Sequence, residues 1–305
     1  MEWNTVFQVA LHYDATNTDH QVIVYKRLPR LMGAILIGAS LAVSGALMQG
    51  VTWNYLASPS IMGVTDGSLL MVTSVMVLFS GVSSFMMIGS SILGSAIASL
   101  IVFGIAASLP QGFSPVRLAI LGTIIGTFFG SIAQAMALYF QVSQDVGFWY
   151  SARLHQMDLA LVASVAPFIL AGILFAMCLS RQITALALGD EVSAGLGQRT
   201  GLIKGLAFLA VVVLTGIAVA LAGRIAFVGL AVPHIARFIV GHDYKKIIPF
   251  SAVLGGLFLA FSDVVSRMVN FPFETPVGVV TAIFGVPFLL YLIKTRGGKR
   301  FAKST

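Results

Sequence analysis

Long stretches without a charged residue constrain this chain more than any other feature of its sequence. A helix that crosses the roughly 30 Å hydrocarbon core of a bilayer needs about 20 apolar residues. Uncharged and mainly apolar runs of about this length or longer cover residues 31–50, 67–116, 118–144, 159–180, 205–223 and 275–293. We therefore expect the chain to cross a membrane several times as helices.

Composition excludes a water-soluble fold. Of the 305 residues, 58% are hydrophobic and 10% are charged, whereas soluble domains average about 25% charged residues. So few charges cannot cover a surface that faces water. The net charge of +7 comes from lysines and arginines between the apolar runs. No basic stripe interleaved with aromatic residues is present, so nucleic acid is not an expected partner.

Hydropathy and helix breakers predict about nine spans. The run 67–116 is about twice the length that one span needs, and Ser-Gly-Val-Ser-Ser at 80–84 predicts a turn within it. We predict an all-α membrane helix bundle that forms a single transmembrane domain over residues 1–305. Its spans are expected at 31–50, 61–79, 85–108, 117–140, 159–180, 201–222, 226–240, 248–268 and 277–294.

The distribution of lysine and arginine favours a cytoplasmic C-terminus, because positive charge is enriched in cytoplasmic loops. In that orientation twelve of these residues lie inside, namely Arg117, Arg181, Arg199, Lys204, Arg237, Lys245, Lys246, Lys294, Arg296, Lys299, Arg300 and Lys303. Six lie outside, namely Lys26, Arg27, Arg30, Arg153, Arg224 and Arg267. With nine spans, the N-terminus is then expected outside.

The cluster of Lys26, Arg27 and Arg30 would lie on the side that positive charge usually avoids. An acidic partner arriving from outside would explain it, because guanidinium groups form bidentate bonds with carboxylates. Anchoring to lipid headgroups is the alternative. The spacing of the three residues leaves both interpretations open.

Polar groups within apolar surroundings mark a second region of interest. Residues 225–236 are too few to span a bilayer and include a proline, so we predict a broken or half-length helix of the kind that borders transport paths. His234 could relay protons, although a lone histidine is more typical of packing.

Asp66 and Asp263 are the most deeply placed acids, and Asp263 can pair with Arg267 one helical turn later.

The longest irregular connection on the predicted cytoplasmic side is 184–200. A short helix starting near Gly189 would carry Asp190 and Glu191 in its first turn, where the helix dipole favours acids. Glycines shortly afterwards would end that helix. The resulting knob could dock into a groove of a cytoplasmic partner, or it could be a simple loop.

Motifs for catalysis or metal binding are missing. The sequence contains no G-x-x-x-x-G-K-[ST] loop, no H-E-x-x-H, no G-x-S-x-G and no paired Cys/His motif. Its eleven acids lie mostly in loops, which does not indicate a catalytic pocket. The single cysteine, Cys178, cannot form an intrachain disulfide. We therefore predict no enzyme activity, no catalytic residue, no metal and no cofactor.

Several short motifs follow one another in a specific order through residues 25–294. The first half contains Arg27-Leu-Pro-Arg30, Ser44-Gly-Ala-Leu-Met-Gln-Gly50, Leu56-Ala-Ser-Pro59 and Gly63-Val64. The second half contains Leu188-Gly-Asp-Glu191, Leu196-Gly197, Phe227-Val-Gly-Leu230, Val232-Pro-His-Ile-Ala-Arg237, Pro276-Val-Gly-Val279 and Gly285-Val-Pro-Phe288. In order and spacing the chain resembles FecCD-type permeases, the membrane subunits of ATP-driven importers of iron–siderophore complexes, haem and cobalamin.

The resemblance implies a set of partners in a bacterial plasma or inner membrane. These are two cytoplasmic ATPase subunits, an extracytoplasmic substrate-binding protein and a second permease subunit, identical or a sister chain. In the family, the residues that match the 188–197 stretch seat in the ATPase, which assigns this role to Gly189, Asp190, Glu191, Ala194, Leu196 and Gly197. In the family's cobalamin importer, arginines that match Arg27, Arg30 and Arg267 pair with glutamates of the binding protein.

The family normally has ten spans with both ends inside, and its first span precedes the Arg-Leu-Pro-Arg motif. This chain begins too close to that motif to hold such a span, so we expect nine. Ferric siderophores are the expected cargo because they are the commonest in the family, with haem and cobalamin as alternatives. An ion-coupled secondary transporter is the rival function, in which Asp66 and Asp263 would bind the ion and the 184–200 knob would be unexplained.

Overall fold

The computed structural model describes residues 11–79, 81–109, 115–150 and 154–301, together with residues 5, 8 and 9. The described residues form helices and no strand, which confirms the all-α prediction. The helices are α1 (Thr18–Val22), α2 (Leu28–Val51), α3 (Val64–Leu78), α4 (Ser84–Ser108), α5 (Pro115–Tyr139), α6 (Ser143–Tyr150), α7 (Leu159–Cys178), α8 (Ser180–Leu186), α9 (Asp190–Gly195), α10 (Thr200–Ala222), α11 (Val228–Val240), α12 (Tyr244–Met268) and α13 (Val277–Phe301).

Length and composition identify the membrane-spanning helices. Within the described part of the chain, six helical stretches are long and apolar enough to cross a bilayer, and three more apolar helices are shorter. Together they overlap the nine predicted spans, and α3 ends at Leu78 and α4 begins at Ser84, close to the turn predicted at 80–84. Arg153 and Lys303, which contributed to the predicted orientation, lie outside the described residues.

The first spanning helix begins earlier than predicted. Helical structure continues from Thr18 to Val51, so the Arg-Leu-Pro-Arg motif lies within a helix and not before one. The turn Ile23–Arg27 is a wider π-helical turn. Pro29 follows directly and lacks the N–H that would bond to the carbonyl of Tyr25, so a widened turn accommodates it. Sequence reasoning placed the start at residue 31 because Lys26, Arg27 and Arg30 interrupt the apolar run.

Helix α2 is the central element of the bundle. Most of its residues from Gly33 onwards are buried, and it packs against α7, α10, α11 and α12. Glycines make its closest contacts possible. A Cβ added to Gly38 would lie 2.1 Å from the carbonyl oxygen of Gly255 on α12, and one added to Gly45 would lie 1.8 Å from that of Gly229 on α11. Such close backbone approach stabilises helix pairs where lipid provides no hydrophobic drive.

The half-length helix predicted around residues 225–236 is present as α11, which has 13 residues. The helix continues through Pro233. Proline removes the bond to the carbonyl four residues earlier, which is that of Gly229. The side-chain amide of Gln49 donates to the carbonyls of Gly229 and Leu230 at 3.4 and 3.2 Å. Helix α2 therefore provides the donor that the proline removes, as backbone within a membrane requires.

Candidate docking surfaces and central cavity

Arg30, at the start of α2, lies in a polar cluster with residues of α12 and of the loop after it. Its Nε donates to both carboxylate oxygens of Asp263 at 3.0 Å, and its Nη2 donates to Oδ1 at 2.8 Å. The Asp263 side chain is only 4% exposed. Because an unpaired carboxylate at this depth would be costly, this pair fixes α2 against α12.

Two more charged residues complete this group, which we call the arginine cluster: Arg30, Asp263, Arg267 and Glu274. Glu274 accepts from Nη1 and Nη2 of Arg30 at 2.7 and 3.1 Å, in bidentate geometry. Arg267 Nη2 lies 3.2 Å from Oδ2 of Asp263, which confirms the predicted pair one helical turn apart. The cluster has two positive and two negative side chains, so its formal charge is zero.

Of the three predicted docking arginines, only Arg27 is exposed and outside this cluster. Arg30 is mostly buried, and Arg267 is partly exposed. Large apolar side chains surround them at the surface, among them Phe271 and Phe273, which are 85% and 71% exposed. The structure thus brings Arg30 and Arg267 together, and their acidic partners within the chain were only partly foreseen.

The 188–197 segment has a different surface. Leu188, Val192 and Leu196 are exposed by 68%, 48% and 65%, and they follow one another at intervals of four residues. Glu191, Ala194 and Gly197 are exposed beside them. The predicted short helix is present as α9, with Gly189 at its N-cap and both acids in its first turn. The predicted topology puts this stripe between two membrane-crossing helices on the cytoplasmic side, where exposed apolar side chains are typical of an interaction surface.

Asp190 is the exception among the residues predicted to contact a partner. Its carboxylate accepts from Nζ of Lys204 on α10 at 2.7 Å, and the Lys204 side chain is 11% exposed. Lys204 also lies over the ring of Trp53, whose indole N–H donates to the carbonyl of Leu186 at 2.6 Å. Asp190 therefore anchors the segment to the bundle and leaves Glu191 as the acid that points outward.

A buried arginine of α11 contacts the end of α2 near this segment. Arg237 on α11 donates to Oε1 of Gln49 at 2.6 Å and to the hydroxyl of Tyr244 at 2.9 Å. The ring of Tyr55 stacks 4.6 Å from its guanidinium carbon. Arg30 and Gln49 are nineteen residues apart on α2, about 28 Å along a helix axis. The arginine cluster and the 188–197 segment are consequently at opposite ends of the bundle.

A cavity of about 210 Å³ lies between these ends, where the start of α11 meets the segment between α2 and α3. We call it the central cavity; its lining is mainly apolar and consists of Leu41, Ser58, Pro59, Ser60, Ile225, Ala226, Phe227, Gly229, Leu230 and Leu289. Phe227 has a left-handed backbone, with φ of 69°. Strained backbone at a cavity wall is a feature of functional sites.

The acids and the histidine that were singled out in the sequence are accounted for by contacts in the bundle. Asp66 lies 4.0 Å from Nη1 of Arg224. His234 is buried and meets the rings of Tyr55, Phe238 and Phe288 edge-on, which favours the packing interpretation. Among the described residues no group of three or more His, Cys, Asp or Glu side chains could hold a metal ion.

Sequence reasoning missed several functional candidates. The exposure of Leu188 and Val192 was not predicted, although Leu188, Val192 and Leu196 follow one another at intervals of four residues, a spacing typical of one face of a helix. The Glu274 carboxylate and the Lys204 ammonium could not be assigned to their partners, because no local pattern connects Arg30 with a residue 244 positions later. Only the packing of distant helices brings these groups together.

Comparison with known proteins agrees with this architecture. The sequence profile of the FecCD transport family matches residues 1–295. The chain is 57% identical over 295 residues to the iron-uptake system permease protein FeuB of Bacillus subtilis (strain 168), covering 97% of this chain and 88% of that protein. It is 46% identical to the iron(3+)-hydroxamate import system permease protein FhuB of the same organism, covering 95% of this chain and 76% of that one.

The fold is also similar to that of a solved transporter. An inward-facing structure of a metal-chelate type ABC transporter superposes with a TM-score of 0.81, covering 95% of this chain and 96% of that one at 24% identity. This similarity shows the fold, and the family match extends over almost the whole chain. The chain belongs to the FecCD transport family.

Proposed function

We propose that this chain is the membrane-spanning permease subunit of an ATP-driven importer of ferric siderophores. The observation that carries the proposal is family membership over nearly the full chain, together with relatives whose names describe iron uptake and iron(3+)-hydroxamate import. The chain makes no covalent bond in this function. Its task is to open the central cavity alternately to the two sides of a bacterial plasma membrane.

The 188–197 segment is the proposed contact with cytoplasmic ATPase subunits. Its exposed leucines and valine each offer an apolar side chain that gains about 1.5–3 kcal/mol when fully buried against a partner. Glu191 offers a charge beside them. Because Lys204 holds Asp190, movement of the segment would be transmitted to α10. In this orientation the C-terminus lies in the cytoplasm, and ATP is hydrolysed on the separate subunits.

The proposed contact with an extracytoplasmic binding protein lies at the other end. Arg27 is exposed there, one helical turn before Arg30 of the arginine cluster, and Arg267 of the cluster is partly exposed. An acidic partner would gain charge-assisted hydrogen bonds from these guanidiniums, and the attraction would speed docking. The proposed transporter also contains a second permease subunit, which is identical to this chain or a sister of it.

The rival function, an ion-coupled secondary transporter, would need carboxylates able to bind the coupling ion. Asp263 is engaged by Arg30 and Arg267, and Asp66 faces Arg224. Each candidate acid therefore already has a positive partner. The rival also offers no role for the apolar stripe of the 188–197 segment.

Uptake of radiolabelled iron distinguishes these functions. Cells with and without this chain are supplied with labelled iron as ferric hydroxamate, ferric catecholate and ferric citrate, with labelled haem and cobalamin as controls. We expect loss of uptake for a ferric siderophore, equal loss when the ATPase partner carries an inactivating substitution, and no loss on addition of a protonophore. Loss of haem or cobalamin uptake alone would reject the cargo, and sensitivity only to the protonophore would reject the mechanism.

A further inference from the structure

Arg30 presents its guanidinium to two carboxylates with very different surroundings. Asp263 takes the Nε edge and is 4% exposed, whereas Glu274 takes the Nη1–Nη2 edge and is 44% exposed. The buried acid therefore fixes the orientation of the guanidinium. The exposed acid occupies the Nη1–Nη2 edge, and since Glu274 is partly in contact with solvent, this is the edge that a carboxylate from outside would reach.

Charge balance distinguishes the same two acids. With Glu274 in place the arginine cluster is neutral, since Arg30 and Arg267 are matched by two carboxylates. Without Glu274 the cluster would have a net charge of +1 and an open bidentate donor edge on Arg30. An acidic docking partner is attracted to the positively charged cluster without Glu274 and not to the neutral cluster with Glu274 in place.

Glu274 is well placed to leave. It belongs to the loop between the end of α12 at Met268 and the start of α13 at Val277. Its carboxylate would remain solvated after release, because nearly half of the side chain is already exposed. The loop stays tied to α12 by the bond from the Thr275 N–H to the Ser266 carbonyl, at 3.0 Å.

The loop leads directly to the wall of the central cavity. Helix α13 begins three residues after Glu274, and two of its glycines pack on the segment that precedes α11. A Cβ on Gly278 would lie 3.0 Å from the Arg224 carbonyl oxygen, and one on Gly285 would lie 2.3 Å from Cβ of Phe227. A shift of the start of α13 would therefore press on Phe227, which lines the cavity.

We propose that Glu274 occupies, in the undocked transporter, the edge of Arg30 that a carboxylate of the extracytoplasmic binding protein takes on docking. The exchange of one carboxylate for another frees Glu274 and the adjoining part of the 269–276 loop from Arg30, and it signals docking to the cavity through α13. This inference rests on the proposed function, because it requires an acidic binding protein at this surface. It adds a residue of this chain that competes with that partner.

The test uses the transporter assembled with its ATPase subunits in lipid nanodiscs, and the binding protein that supports uptake in the same cells. Glu274→Gln keeps the shape of the side chain and removes its charge. We expect the binding protein to bind about two- to fivefold more tightly, because the partly exposed Glu274–Arg30 ion pair no longer competes with the carboxylate of the binding protein. The basal ATPase rate should rise, and its stimulation by the binding protein should fall.

Asp145→Asn is the matched control, because Asp145 is an exposed acid on α6 that the topology places at the same end of the bundle. It should leave affinity and ATPase rate unchanged. Unchanged or weaker binding by Glu274→Gln would overturn the inference. Equal tightening by Asp145→Asn would overturn it too, because the effect would then be general surface charge.

A third variant separates this inference from the proposed function. Arg27→Ala removes an exposed guanidinium outside the arginine cluster, and the proposed function expects weaker docking. If Arg27→Ala weakens docking while Glu274→Gln has no effect, the docking surface stands and the exchange is rejected. If no variant changes docking, or the assembled transporter does not bind the protein, the docking surface itself is rejected.

Discussion

The arginine cluster and the 188–197 segment lie at opposite ends of the bundle and have opposite chemistry. In the cluster, charged side chains pair with one another between α2, α12 and the following loop; Arg30 and Asp263 are largely buried, whereas Arg267 and Glu274 are partly exposed. In the segment, apolar side chains are exposed, and Asp190 is held to the bundle by Lys204. The sequence predicts docking roles for Arg27, Arg30 and Arg267 and for the 188–197 segment, from charge distribution, from local helix signals and from the family resemblance.

The difference concerns what each surface offers a partner. Substitutions in the cluster should lower the stability of the chain, because buried charges lose their partners. Substitutions on the apolar stripe should leave stability intact and weaken an intermolecular contact. Under the proposed function, a partner of the segment would bind an apolar surface that is already exposed, whereas a partner of the cluster would have to compete with the Glu274 carboxylate.

The largest effect is expected from Asp263→Asn. It leaves Arg30 and Arg267 facing a neutral amide at a buried position, so we expect a loss of about 3 kcal/mol in stability. Thermal unfolding of the detergent-solubilised chain measures the loss, with exposed Asp145→Asn as the control. Equal melting temperatures for the two variants would mean that the cluster does not stabilise α2 against α12.

The double variant Leu188→Ser, Leu196→Ser should change function and leave stability within about 0.5 kcal/mol. Loss of two buried apolar contacts should weaken binding of the ATPase subunit at least about tenfold, or 1.4 kcal/mol. Titration of the purified subunit into nanodisc-embedded permease measures this. The control variant Lys246→Ser, at an exposed site on the same end of the bundle, should bind the ATPase subunit normally. A lower melting temperature of the double variant would contradict the view that the exposed stripe does not contribute to stability.

A smaller effect is expected from Lys204→Met. Asp190 loses its cation, and since that carboxylate is 38% exposed the loss in stability should be about 1 kcal/mol or less. Helix α9 has six residues and little stability of its own. Hydrogen exchange of its amides should therefore become faster, while exposed Lys245→Met should not change it. Unchanged exchange would show that the anchor lies elsewhere.

The smallest effect on stability is expected from Glu274→Gln. The pair is partly exposed and Asp263 still holds Arg30, so the loss should stay below about 1 kcal/mol. The same thermal assay compares this variant with Asp263→Asn. A loss as large as that of Asp263→Asn would make Glu274 a structural residue and remove the distinction between the two acids of the cluster.

Local patterns predicted several elements well. The half-length helix α11 followed from the short apolar stretch around Pro233, and α9 followed from two acids after Gly189 and glycines a few residues later. These features depend on backbone chemistry within about ten residues. The predicted start of the first spanning helix was wrong. The apolar run ends at charged residues, whereas the helix extends through Arg30 back to Thr18.

The sequence by itself determined that the chain is a membrane helix bundle with about nine apolar spans, because each span has its own apolar length and its own breakers. It also determined family membership through motifs of consecutive residues. Only the tertiary structure decided which charges are available to partners. Arg30 and Asp263 are 233 residues apart, and they pair because α2 and α12 pack closely and antiparallel at their glycines. Side-chain pairing across distant helices depends on that packing and has no local signal.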